Sequence, residues 1–429
     1  MIFHMNFQIY TLGCKVNQYE SDMLRDLMCK NGFKEQKEGI SDIYIINSCT
    51  VTAQGDKKAR QAIGRYKKLN PSAIIVLTGC FPQAFPEKAS LMERADIITG
   101  VTDRAEIPHK IKQYLLDRNR IININRHNNS FDETGYVNSD KTRAYVKIQD
   151  GCDRFCTYCI IPKARGPVRS RRIEDIINEV SLQADNNHKE IVLVGINLAL
   201  YGRKEGLSLA DAVEAAASVN GIKRIRLSSL EPEMLTDSEI QRMAGVDKLC
   251  PHFHLSIQSG SDSTLKRMGR HYDKKLYLDI VKNLRKHFDN CAITTDIMVG
   301  FPEESEEEFE ESLSFVKQMN YAQVHVFSYS QRQGTRAVML KNQIPPEIKA
   351  IRHKKIQEAA DFSRKKFLEN QIGTTQSILI EKPQSQLYSY GHTENYVEVR
   401  VIGVEMPRHE IINVKITGAE NDHCIGELV

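Results

Sequence analysis

From Phe7 to about Leu116, short apolar runs alternate with longer stretches whose apolar residues recur every three or four positions. Phe7 to Leu12, Ile43 to Ile46, Ile74 to Leu77 and Ile97 to Thr99 read as strands. The stretches from about Gln18, Gln54 and Glu106, and a shorter one near Pro86, read as helices. This alternation predicts a parallel sheet covered by helices. Residues 119 to 143 are polar and weakly periodic, with Asn123, Asn125, His127, Asn128 and Asn129, and read as linker; His127 reads as solvated.

The alternation then resumes. Ala144 to Ile148, Ile191 to Val194, Ile225 to Leu227, Phe253 to Ile257, Ile293 to Val299 and Val324 to Tyr329 are six strands separated by helical segments such as Glu174 to Asn186 and Lys275 to His287. They are enough for an incomplete parallel barrel. The acidic run Glu303 to Glu311 reads as the start of a solvated helix, where acids meet the positive end of the dipole. Pro345-Pro346 precedes a long charged helix, about Glu347 to Asn370. From Gln371 onward the pattern is of short strands with glycine turns, Ser377 to Ile380, Tyr396 to Ile402 and Ile411 to Ile416. The expected fold class is therefore α/β: an N-terminal parallel-sheet domain (5–118), a linker (119–140), a central partial (βα)6 barrel (141–370) and a small C-terminal β-barrel (371–429).

Composition changes this picture little. The 429 residues are 41% hydrophobic and 27% charged, which is ordinary for globular chains. No apolar run of membrane-spanning length and no signal-like start is present, so the expected location is the cytoplasm, with no membrane partner. Ten cysteines without a dense framework point to reduced thiols and metal ligation. The net charge is only +4, but its distribution is uneven. Lys57, Lys58, Arg60, Arg65, Lys67 and Lys68 cluster without an acid, and residues 141 to 172 hold nine Lys or Arg against Asp150 and Asp153. Segment 371–429 is acidic, with Lys382, Arg400, Arg408 and Lys415 against eight acids.

The candidate chemistry lies in the cysteines. Cys152, Cys156 and Cys159 are spaced C-x3-C-x2-C, and neither helix nor strand periodicity puts all three on one side, so they belong to a loop. Soft thiolates select zinc, copper(I) or iron-sulfur clusters, and the loop offers no fourth ligand for structural zinc. Three thiolates suit a 4Fe-4S cluster with one iron open to a cofactor. The alternatives are free structural thiols or a zinc site completed from a distant residue. Cys14, Cys49 and Cys80 each follow a strand of the first alternation, where parallel strands bring their ends together, and read as a second ligand set. Cys29, Cys250, Cys291 and Cys424 read as structural. Later strand ends carry Gly195 and Asn197, Ser229 and Glu231, Gln258, and Gly300, which with Asp296 read as a cofactor pocket.

The Cys152–Cys159 spacing, with Tyr158 before the last cysteine, resembles the signature of radical S-adenosylmethionine enzymes. Thr11 to Asn17, Asn47 to Thr52, Cys152 to Pro162, His254 to Asp262, Asp296 to Pro302 and Gly391 to Val397 together resemble, nearly end to end, the methylthiotransferase family. Within it the first three motifs are similar to the branch acting on N6-threonylcarbamoyladenosine in tRNA. The resemblance implies a radical S-adenosylmethionine barrel, a C-terminal TRAM domain, and methylthiolation of adenine C2 at nucleotide 37. It implies two 4Fe-4S clusters, with S-adenosylmethionine cleaved at Cys152, Cys156 and Cys159 and the sulfur carried at Cys14, Cys49 and Cys80. Expected partners are tRNA, a flavodoxin- or ferredoxin-like electron donor and a sulfur donor. The rival is the sister branch that modifies an aspartate of a ribosomal protein, which an acidic C-terminal module would suit, although Lys15 stands where that branch has proline. A non-enzymatic iron-sulfur RNA-binding protein is a third reading.

Overall fold

The computed structural model describes residues 5–127, 130–131, 137–385, 388–403 and 405–429, the side chains of 382–385 excepted. Asn128, Asn129 and the Lys382 side chain therefore lie outside the described residues. The chain packs as two compact units. One comprises Met1–Ser139, Gln149–Ser170 and Ser330–Val338, the other Asp140–Ile148, Arg171–Tyr329 and Met339–Val429.

The first unit opens with β1 (Asn6–Thr11), α1 (Lys15–Lys30), β2 (Lys34–Glu35), β3 (Ile43–Ser48), α2 (Ala53–Leu69) and β4 (Ile74–Gly79). It continues through α3 (Cys80–Ala84), α4 (Pro86–Ser90), β5 (Ile97–Thr99), α5 (Ile107–Asp117) and β6 (Ile121–Asn123). Every residue of β3, β4 and β5 is buried, as expected of strands covered on both faces, which explains their unbroken apolar runs. The six strands pair in parallel in the order β2-β1-β3-β4-β5-β6. Two of them escape the sequence pattern. β2 has two residues, and β6, three residues long, extends the sheet from within the stretch read as linker. Both are too short to display a period. β2 nevertheless matters, because its place beside β1 makes the chain reverse its direction of winding between β1 and β3.

The second unit begins at β7 (Arg143–Lys147). The chain then crosses to the first unit for β8 (Gln149–Asp150), α6 (Ile161–Arg165) and β9 (Arg169–Ser170). Back in the second unit follow α7 (Ile173–Asp185), β10 (Glu190–Val194), α8 (Leu209–Ser218), β11 (Arg224–Leu227), α9 (Asp237–Ala244) and β12 (His252–His254). Then come α10 (Asp262–Met268), α11 (Lys274–His287), β13 (Ala292–Val299), α12 (Glu306–Met319), β14 (Gln323–Ser328) and α13 (Pro346–Glu369). The six barrel strands form two parallel three-stranded sheets, β7-β10-β11 and β12-β13-β14, joined by single bridges such as Leu230 with Leu255. The strand read as Phe253 to Ile257 is thus shorter, and its second half pairs only at isolated points. α12 starts with a capping box between Ser305 and Glu308, and its first-turn acids sit at the positive dipole end. Glu304, however, is not solvated. It is buried and paired with Arg352 at 2.7 Å.

The C-terminal strands β15 (Thr375–Ser385), β16 (Tyr388–Thr393), β17 (Glu398–Ile402), β18 (Ile411–Glu420) and β19 (His423–Leu428) close into a barrel. The sequence pattern reveals three of the five. β16 turns Ser389, Gly391 and Thr393 inward, so its buried face is not apolar and no alternation betrays it. This barrel is seated on buried charges at the start of the parallel strands. Arg226 pairs with Glu190 at 2.7 Å, donates to the Glu394 carbonyl at 2.8 Å and lies 4.6 Å from the Tyr396 ring centre. Arg224 donates to Ser377 at 2.8 Å.

Candidate functional site

Cys14, Cys49 and Cys80 follow β1, β3 and β4, at the carboxyl ends of adjacent strands and beside the winding reversal where such sheets take ligands. Two buried asparagines fix their loops. Asn17 donates to the Leu12 carbonyl at 2.9 Å and the Ser48 carbonyl at 3.1 Å, and Asn47 donates to the Asn17 carbonyl at 2.9 Å. Gly13 has φ +110°, and a Cβ there would stand 2.8 Å from the Cys49 Cβ, so only glycine lets the Cys14 turn approach Cys49 so closely. Ser48 ties the β3 end to Cys80 by donating to the Thr78 carbonyl at 2.6 Å and accepting from the Phe81 amide at 3.3 Å.

The sulfurs differ in exposure. Cys14 is exposed, Cys49 half-buried and Cys80 buried. Burial pushes the Cys80 thiol up to about 12 against the pull of Arg165, with Cys49 and Cys14 adding to the rise. Burial also raises Cys49, again with a contribution from Cys14.

Cys152, Cys156 and Cys159 are half-buried on a loop whose ends are clamped by the antiparallel β8–β9 pair. The Cys152 amide donates to the Gly166 carbonyl at 3.0 Å and the Cys159 amide to the Cys156 carbonyl at 3.0 Å. Phe155 has φ +49° and is exposed. His127 is not simply solvated, since its Nε2 lies 3.0 Å from the Lys163 carbonyl oxygen. Among the described residues, no three His, Cys, Asp or Glu side chains already stand in place to hold a metal ion. The donor chemistry nevertheless fits an iron-sulfur group, with three soft thiols per set, both sets within one compact unit.

The basic residues after Cys159 are largely internal, which the uneven charge count alone does not show. Arg165 is fully buried and pairs with Glu20, Arg169 is buried 3.3 Å from Asp150, and Arg171 is buried against Glu179. Arg172 is exposed and pairs with Asp175 at 2.8 Å. Of the other cysteines, Cys250 and Cys424 are buried and Cys291 half-buried, but Cys29 is exposed at the end of α1.

In the second unit Gly195 and Asn197 follow β10, Ser229 and Glu231 follow β11, Gln258 follows β12 and Gly300 follows β13. The Gln258 amide donates to the Asp296 carbonyl at 2.9 Å, and Gln258 has φ +69°. Glu231 pairs with Arg270 at 2.8 Å. Asn197 is buried, while Ser229 is exposed; it is Ser228 whose hydroxyl accepts from the Gly195 amide, at 3.4 Å. The Gly300 amide donates to Glu304 at 2.8 Å. Asp296 lies within β13 and accepts from Ser256 at 2.9 Å, with His254 Nε2 3.2 Å away. Burial opposes its ionisation, but hydrogen bonding and charge from His254, with Ser256, hold the carboxyl below its usual range.

Two family models match this chain, the Radical SAM superfamily over residues 146–316 and the uncharacterized protein family UPF0004 over residues 6–100. A threonylcarbamoyladenosine tRNA methylthiotransferase of Bacillus subtilis (strain 168) is 37% identical, the match covering 98% of this chain and 95% of the relative. The chain belongs to the methylthiotransferase family of radical S-adenosylmethionine enzymes. A tRNA-2-methylthio-N(6)-dimethylallyladenosine synthase of Clostridium botulinum (strain Loch Maree / Type A3) is 34% identical, with 98% and 96% covered. Among solved structures, the radical S-adenosylmethionine methyltransferase TsrM of Kitasatospora setae has a TM-score of 0.55 at 12% identity, covering 76% of this chain and 75% of that one, which supports the fold alone. Membership brings a 4Fe-4S cluster and S-adenosylmethionine to this methylthiotransferase. No helix among the described residues is long and apolar enough to cross a membrane.

Sequence reasoning missed the residues that assemble the site rather than ligate. Asn17 and Asn47 sit inside the quoted motifs and carry no chemistry of their own. Glu20, Arg165 and Asp150 meet only in three dimensions.

Proposed function

We propose that this methylthiotransferase inserts a methylthio group at adenine C2 of N6-threonylcarbamoyladenosine, nucleotide 37 of tRNA. The observation that carries the reading is the 37% identity, over nearly the whole chain, to a protein named for that substrate. The Clostridium relative is named for a different N6 substituent, and both names specify tRNA, which favours RNA over a ribosomal protein as substrate.

An aryl C–H bond has no useful acidity, so no side-chain base in this chain can open it. When bound, iron-sulfur clusters and S-adenosylmethionine supply the one-electron chemistry and the sulfur that side chains lack. Cys152, Cys156 and Cys159 would hold one 4Fe-4S cluster, and Cys14, Cys49 and Cys80 a second. Gly195, Asn197, Ser229, Glu231, Gln258, Asp296 and Gly300 would line the S-adenosylmethionine pocket, to which Asp296 would contribute a carboxylate. In the same reading, 5–118 is the methylthiotransferase domain, 119–140 a linker, 141–370 the radical core and 371–429 the TRAM domain. The enzyme works in the cytoplasm with a flavodoxin- or ferredoxin-like electron donor and a sulfur donor.

Mass spectrometry of tRNA nucleosides from a deletion strain tests substrate and product together. Loss of the 2-methylthio derivative of N6-threonylcarbamoyladenosine, with recovery on complementation, is the expected result. Unchanged levels of that nucleoside would sink the reading, and loss of the dimethylallyl derivative instead would reassign the substrate.

A further inference from the structure

Arg165 closes α6, directly after the Cys152–Cys159 loop, yet its side chain ends against the other cysteine set. The guanidinium is fully buried. Its Nε donates to the Cys80 sulfur at 3.2 Å, and Nη2 donates to Asn17 Oδ1 at 2.7 Å and Glu20 Oε2 at 3.0 Å. Nη1 pairs with Glu20 and lies 3.5 Å from Asp150. Asn17 Oδ1 also faces the Cys14 sulfur, at 3.5 Å. Buried Arg104 also pairs with Glu20, at Oε2 and 2.9 Å, so the carboxylate is fixed between two guanidinium groups and in turn fixes the plane of Arg165.

A rigid fork suits this task. Two edges of the guanidinium are occupied by Glu20, Asn17 and Asp150, and the remaining Nε–H points at sulfur with no rotameric freedom left. A lysine cannot reproduce that division of donors. Hydrogen bonds to ligating sulfur stabilise the more negative, reduced state of a thiolate-bound cluster, and such supporting groups set both occupancy and potential.

We propose that Arg165 is a positioning residue of the Cys14, Cys49 and Cys80 site, its Nε–H donating to Cys80 while that sulfur ligates iron. The same residue makes the backbone after Cys159 a neighbour of that site, so the two cysteine sets share one buried support. The inference rests on reading the three N-terminal cysteines as a cluster site.

The test uses the full chain carrying Cys152→Ala, Cys156→Ala and Cys159→Ala, so that only the N-terminal set can bind a cluster. After anaerobic reconstitution, iron content and midpoint potential are compared with and without Arg165→Lys or Arg165→Gln. Arg165→Lys is expected to keep most of the iron with a more negative midpoint, and Arg165→Gln to lose most of the iron. Unchanged iron and midpoint in both would overturn the proposal. Should either variant fail to fold, pulsed electron paramagnetic resonance of the reduced cluster in the Arg165-containing chain, labelled with 15N-arginine, decides instead. A weak 15N coupling is expected, and its absence overturns the role of Arg165. If the parent triple-cysteine chain binds no iron at all, it is the cluster reading itself that fails.

Discussion

Arg332 donates from Nη2 to the hydroxyl of Thr50 at 2.6 Å, across 282 positions of sequence, while its Nη1 meets Asp56 at 2.9 Å. Thr50 follows Cys49. Four and five residues on, Arg336 donates to the Phe155 carbonyl at 2.7 Å and the Ala337 amide to the Thr157 carbonyl at 2.8 Å. One short segment thus touches the loops of both cysteine sets within the same unit. Arg332→Met would leave the buried Asp56 carboxylate without its cation, and is expected to cost about 3–5 kcal/mol. Arg332→Met with Asp56→Asn should recover part of that loss, read from urea unfolding midpoints. A loss under about 1 kcal/mol in the single variant would mean that water serves Asp56 as well.

The two thiol sets should separate by function. Replacing Cys152, Cys156 and Cys159 by Ala is expected to halve the iron of reconstituted protein and abolish cleavage of S-adenosylmethionine to 5'-deoxyadenosine. Replacing Cys14, Cys49 and Cys80 should also halve the iron, yet leave cleavage largely intact and remove methylthio product. About four irons per chain in the parent protein would rule out two clusters.

Arg165, Arg169 and Arg171 are internal, whereas α2 keeps basic side chains exposed, and under the proposed function that surface is expected to meet tRNA. Lys57, Lys58, Arg60 and Lys68 are exposed, whereas Lys67 is engaged with Asp96 at 2.9 Å and the Ala73 carbonyl at 2.7 Å. Changing those four to Gln should weaken tRNA binding at low salt and flatten its salt dependence by about 0.7–0.9 for each phosphate no longer neutralised, with iron content unchanged. An unaltered slope would place the RNA elsewhere, and loss of binding on removing residues 371–429 would assign it to the C-terminal barrel.

The attachment of the C-terminal barrel should be acid-sensitive through Glu381. Burial would raise this carboxyl, but hydrogen bonding and charge from His392, together with Arg143 at 2.7 Å, bring it down to about 2 from an ordinary 4.5. A carboxyl depressed on folding contributes stability that is complete above the unfolded value and fades as pH falls from about 4.5 to about 2. The contribution at neutral pH is up to about 3 kcal/mol. Glu381→Gln should lower stability near neutrality and show a shallower decline across that window. Parallel curves for the two chains would dissociate Glu381 from the acid limb.

Local chemistry and periodicity made much of this protein legible. The buried strands β3 and β4 announce themselves because both faces of a covered parallel strand must be apolar, and the Cys152–Cys159 spacing puts three thiols in a single loop. The recurrence of Cys14, Cys49 and Cys80 after successive strands could be read because neighbouring parallel strands end on one edge. What had no local signature was lost. β2 and β6 are shorter than one readable period, and β16 buries Ser389, Gly391 and Thr393 rather than apolar side chains.

By itself, then, the sequence determined the α/β alternation, the two thiol sets and the family motifs, because each is written in residues a few positions apart. Only the tertiary structure decided which charges are solvent and which are framework. Arg165 reads in sequence as one more cation after a cysteine loop. In space it is buried among Glu20, Asn17, Asp150 and Cys80, drawn from segments up to 148 positions away. Burial of a guanidinium is tolerable only where carboxylates and hydrogen-bond acceptors converge on it, and that convergence is a property of the fold rather than of any stretch of chain.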